Sequence, residues 1–89
     1  MLATRTFARR LAAALALGMT CFVRLVRGEC QASRDAARQL IDLAEAAHHL
    51  PLVVNGHMQA QIACHHLGHF ADADVHAQEV MRLGAPLAS

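Results

Sequence analysis

The sequence predicts an all-α fold: two antiparallel helix–turn–helix units, four helices in one small domain. Three observations carry this. Apolar residues recur in steps of three and four over long stretches, the period of an amphipathic helix. The chain of 89 residues is 55% hydrophobic but only 3% aromatic, and its alanine- and leucine-rich composition favours closely packed helices over a β-sandwich. A turn followed by a helix also occurs twice, forty residues apart. A stack of helical pairs with a fixed period, an α-solenoid, explains that spacing most simply.

The clearer copy is Leu67-Gly68-His69-Phe70-Ala71-Asp72-Ala73 and the helix after it, to Leu83. Gly68 suits the position just past a helix end, because it accepts positive φ without a Cβ clash. Phe70, Ala73, Ala77, Val80 and Met81 then share one face. Phe70 is expected to be largely buried, packed across the turn on the preceding helix. Ala73 and Ala77 are small enough for close approach. Asp72 and Asp74 stand in the first turn, where carboxylates complement the helix dipole. The earlier copy begins at Gly28-Glu29-Cys30-Gln31-Ala32-Ser33. Cys30 falls on Phe70, Ser33 on Ala73 and Ala37 on Ala77. Leu40 falls on Val80, Ile41 on Met81 and Leu43 on Leu83.

In chain order, Arg5, Arg9 and Arg10 precede an apolar run at residues 11–23. That run is short for a membrane span, so a buried first helix is expected and no membrane span. A basic start before a short apolar run is also the pattern of a signal segment, but Arg24 and Arg27 continue the helix on a polar face. The second helix covers residues 29–47, with Arg34, Asp35, Arg38, Asp42 and Glu45 on its wet side. His48-His49-Leu50-Pro51 breaks it, since proline suits only the first turn of the next helix. The third helix covers residues 51–66. Asn55-Gly56 inside it is a hairpin signal, but no second alternating strand follows. The helix is retained at a cost of about 1 kcal/mol for Gly56. The fourth helix ends at Gly84-Ala85-Pro86, with the last residues frayed. Repeat one thus spans about residues 6–47 and repeat two about 51–83.

Function classes narrow by exclusion. A formal net charge of +1 lacks the clustered basic stripe of a nucleic-acid-binding surface. Cys21, Cys30 and Cys64 show no paired spacing and sit on apolar segments; they read as small packing residues in a reducing compartment. Cys64, His65, His66 and His69 are the nearest approach to a metal motif, but Gly68 separates their directions and a zinc site needs three or four ligands. His57 and His76 read as lone, partly exposed residues. No nucleophile–base arrangement and no phosphate-cradling glycine loop is present. The expectation is a chain with no catalytic residues, no cofactor and no metal.

The Gly68 turn and the helix ending at Val80-Met81-Arg82-Leu83 resemble the turn and second helix of a tetratricopeptide repeat, and residues 28–43 resemble a weaker copy. The first-helix signature would fall on His57, Ala60, Gln61 and Cys64 and is absent, and the spacing is forty residues in place of 34. Residues 26–47, followed by the Gly68 turn, are similar to repeats in large bacterial ATPase-type transcriptional regulators and adenylate cyclases. The resemblance implies a short right-handed α-solenoid, a fragment or relative of such a regulator, that binds a protein partner in a groove lined by the first helix of each pair. Here that groove would be lined by Leu15, Phe22 and Leu25, then by Asn55, Met58, Ile62 and His65. Apolar faces left at both ends (Leu11, Leu15 and Phe22 at the front, Val75 and Leu83 at the back) also predict self-association. A cytoplasmic protein-interaction module is the reading that follows. A small exported helical protein and a histidine-based metal binder are the alternatives.

Overall fold

The computed structural model describes residues 2–88, all in helices or the short turns between them. The helices are α1 (Leu2–Val26), α2 (Cys30–Ala46), α3 (Leu50–His66) and α4 (Phe70–Ala88). Each linker is three residues long, and all three make the same turn. Gly28 and Gly68 both sit at φ 79°, and His48 occupies the equivalent place at φ 52°. In each turn this residue's N–H bonds back to the carbonyl three residues before it, and the next N–H reaches the carbonyl five before: Gly28 to Leu25 and Glu29 to Arg24, His48 to Glu45 and His49 to Ala44, Gly68 to His65 and His69 to Cys64, all at 2.8–3.1 Å. This is the Schellman arrangement, which satisfies carbonyls that a helix end leaves open. The turns therefore recur every twenty residues, half the interval seen in the sequence. The middle one is hard to read because a histidine, not a glycine, takes the left-handed position.

The helices stand in a row. α1 packs on α2, α2 on α3 and α3 on α4, and α1 also touches α3 along a shorter seam. Among the described residues α4 touches neither α1 nor α2, so the row does not close into a bundle. The result is a slab of 45 × 32 × 16 Å. Its interior is built from small residues: Ala36, Ala37, Ile41, Ala60 and Cys21 form the core cluster, with Leu17 packed on it. Leu40 is the largest side chain that is fully buried. Small residues allow the axes to come close, and Gly56 is the extreme case. A Cβ there would stand 2.6 Å from Ile41 Cγ1 and 3.3 Å from the Ile41 backbone nitrogen. The glycine that weakens α3 locally is what lets α3 lie against α2. Buried Ser33 adds a specific link, donating from its Oγ to the Cys21 carbonyl of α1 at 2.8 Å.

The turns are tied by side chains as well. Glu29, the residue before α2, makes no capping bond to its own helix. Its carboxylate instead takes Arg24 of α1 and, at 3.1 Å, Arg27. The Arg24 hydrogen bond holds the Glu29 carboxyl below its usual range. At the next turn His49 Nδ1 accepts from the Leu52 N–H at 3.3 Å, and Pro51 sits within the first turn of α3.

Several expectations are corrected. The first helix forms but is not buried. It contacts its neighbours mainly through Ala14, Leu17 and Cys21, and leaves Phe7, Leu15, Met19, Phe22, Val23 and Val26 exposed. It is also longer than the apolar run suggested: Ala3–Val26 is long and apolar enough to cross a membrane, and only 11% of its most apolar window is buried in the molecule. Signal segments, and the core helices of soluble proteins, which are mostly buried, reach the same length and hydropathy. Phe70 is 59% exposed, not buried, and Met81 is 76% exposed. Phe70 nevertheless reaches across the turn to the edge of the His65 ring on α3. Arg34 is not on the wet side of α2: its side chain is 13% exposed and reaches toward the α3–α4 turn. Finally, α4 runs through Gly84 to Ala88, because Gly84 does not adopt the positive φ that stops α1 and α3.

Candidate functional site

Exposed apolar side chains of α1 face α3 across a groove between the two helices. Leu15, Met19 and Phe22 rise from α1 at helical spacing, and Leu52, Asn55 and Gln59 face them from α3. The floor is Ala14 and Gly18, whose small size leaves an open hollow of roughly 330 Å3. Gly18 has Leu40 of α2 and Asn55 as its nearest neighbours, near 4 Å. The hollow is mostly apolar, and the Asn55 and Gln59 amides supply its polar rim.

Of the seven residues expected to line a partner groove, Leu15, Phe22 and Asn55 come together here. Ile62 and His65 line a separate shallow hollow further along α3, with Gln61 and His66. Leu25 is half-buried, and Met58 is exposed but borders neither hollow. Sequence reasoning missed Met19, Leu52 and Gln59. Met19 could have been found, since it lies four residues after Leu15 and three before Phe22 on one helical stripe. Leu52 and Gln59 could not, because their place depends on how α3 is rotated against α1.

The histidines sort differently from the sequence expectation. His57 and His76 are not lone residues: their rings meet across α3 and α4 with Nδ1 atoms 2.9 Å apart and centroids 5.1 Å apart. One ring must donate its Nδ1 proton to the other. Burial first, and then the neighbouring His57, push the His76 pKa down, so His76 favours its neutral form. By contrast, Cys64, His65, His66 and His69 do not converge. Cys64 is buried, and burial followed by the nearby Asp72 charge pushes its thiol pKa up, away from a nucleophilic thiolate. His66 Nδ1 donates to the Ile62 carbonyl at 2.9 Å. His69 Nδ1 accepts from Arg34 at 3.2 Å. His65 stands edge-on to Phe70 with centroids 5.2 Å apart. Among the described residues no group of three or more histidine, cysteine or carboxylate side chains is placed to hold a metal ion.

Comparison with family models, with curated proteins and with solved structures finds no significant match to this chain.

Proposed function

We propose that the chain is a protein-interaction module, a tetratricopeptide-like pair of helical repeats whose α1–α3 groove accepts an apolar helix. The observation that carries this reading is the open groove: Leu15, Met19 and Phe22 are exposed around a hollow whose floor is small residues. Helix-in-groove recognition needs such a surface, with anchors at three- and four-residue spacing entering pockets on the other side. Recurrence of one turn every twenty residues and contact between the first helices of the two pairs agree with a stacked repeat. The chain then contributes recognition and no chemistry of its own. Residues 6–47 and 51–83 act as its two units, in a cytoplasmic setting or within a larger regulator.

Light scattering on the purified chain tests this. The expected outcome is concentration-dependent association through the groove, abolished by Leu15→Asp while the helical circular dichroism is retained. A monomer that stays well behaved at high micromolar concentration would overturn it.

A further inference from the structure

The edge of α1 beside the groove carries a second surface. Met19, Val23 and Val26 form an exposed stripe there, with Val26 70% exposed. Met19 and Val23 line a shallow hollow together with Thr20, Arg24 and Arg27. At 100° per residue Arg5 falls in line with Val23 and Arg9 about 40° to one side of it; Arg27 follows just past the helix end, and all three are exposed. Charge along the chain is strongly partitioned. Five of the eight basic residues and none of the seven acidic ones precede Glu29. The net charge near zero hides a cationic first helix on an acidic remainder.

We propose that this edge of α1 docks in the plane of an anionic lipid bilayer, with Met19, Val23 and Val26 in the acyl boundary and Arg5, Arg9 and Arg27 on the headgroups. An apolar stripe rimmed by arginine on a long helix is the chemistry of interfacial binding. Two other arrangements fit less well. A helix crossing the bilayer would have to leave α2, breaking the buried Ser33–Cys21 bond and uncovering the core around Leu17 and Ile41. A second copy meeting this edge with its own would set Arg5 and Arg9 against their counterparts with no carboxylate on α1 to offset them, since Glu29 pairs with Arg24 and Arg27 only. Docking in the plane keeps the helix row intact and uses only groups that are already exposed.

The test is sedimentation of the full chain with phosphatidylcholine vesicles and with vesicles containing about a third phosphatidylglycerol. The wild type is expected to bind the anionic vesicles at least tenfold more tightly, and less so in high salt. The pair Val23→Asp and Val26→Asp should abolish binding. Arg5→Glu with Arg9→Glu should weaken it more than tenfold, and both double variants should keep their helical circular dichroism because all four positions are exposed. Asn55→Asp, at an exposed position on the α3 wall of the groove and off the α1 stripe, should weaken association through the groove and leave vesicle binding unchanged, so the two proposals fail separately. Equal affinity for both vesicle types, no binding, binding that survives Val23→Asp with Val26→Asp, or a chain that alkaline carbonate does not release would each overturn the proposal.

Discussion

Position by position, α2 lies deeper than α4. Leu40 is fully buried, whereas Val80, forty residues later, is half-buried. Ile41 is buried and Met81 is exposed; Ala37 is buried and Ala77 half-buried; Cys30 is half-buried and Phe70 exposed. Ser33 and Ala73 alone among these pairs are both buried. The side-chain patterns are alike, so the difference comes from neighbours. α2 has α1 on one flank and α3 on the other, while α4 has only α3. One stripe of a helix is covered by one partner; the second stripe needs another. The side of α4 away from α3 also differs in chemistry from the exposed stripe of α1. It carries Asp72, Asp74, Gln78, Glu79 and Arg82 beside Val75 and Met81, and Arg82 donates to Glu79 at 2.6 Å. A polar outer face is what a terminal helix of a stack requires. Val75 and Met81 nonetheless stay exposed there, so α4 keeps an apolar edge of its own, more broken by charge than that of α1.

The comparison can be broken most directly at Leu40 and Val80. Leu40→Ala should cost about 3–5 kcal/mol, because it removes the largest fully buried side chain, and Val80→Ala only about 1 kcal/mol. Urea denaturation of the two variants measures both, and equal losses would show that α4 is as well covered as α2. A second matched pair is Gly56 and Gly84. Gly56→Ala forces a Cβ into Ile41 and should cost about 2 kcal/mol. At Gly84 nothing lies within 4 Å of the added atom, so Gly84→Ala should stabilise by about 0.5–1 kcal/mol through helix propensity. Loss of stability in both variants would mean that α4 is packed against something on its far side.

Phe70→Ala sharpens the same point. A buried phenylalanine would cost about 3 kcal/mol or more, but a side chain this exposed should cost under about 1 kcal/mol. Among the turns, His48→Gly should raise the thermal midpoint, gaining roughly 0.5–1 kcal/mol by relieving a left-handed side-chain residue. The smallest expected effect is a pH dependence confined to the α3–α4 seam. The folded His76 pKa lies below its unfolded value of 6.5, so the unfolded chain binds the proton more readily. Stability from His76 is then fully present above about pH 6.5 and is lost as pH falls through the folded value. Hydrogen exchange at pH 7.5 and pH 5 should show α4 amides losing protection while α2 amides, on a helix without histidine, change less. His76→Asn should remove the difference.

How much of this was legible in the sequence differs by feature. Helix count, the antiparallel alternation and the breaks at residues 27–29, 47–49 and 67–69 follow from local chemistry. Glycine takes positive φ without strain, proline is confined to a first turn, and apolar periodicity marks a helix whatever surrounds it. Helix boundaries came within a few residues, except at the start of α1, which begins well before its apolar run, and at Gly84, where a glycine signal had no left-handed backbone to match it. The groove was legible in part, at Leu15, Phe22 and Asn55, since a stripe on α1 can be read from α1 alone.

The sequence by itself determined that the chain makes helices, where they turn, and that its basic residues gather at the front. These are properties of a residue and its near neighbours along the chain. The tertiary structure decided which stripe of each helix is covered. It assigned Gly56 to Ile41, brought His57 to His76, turned Arg34 toward His69, and left Phe70 and the Met19–Val26 edge in the open. Each of those depends on the rotation of one helix against another. A periodic pattern fixes that rotation only when the apolar sector is narrow, and in α1 it is wide enough to offer two different faces.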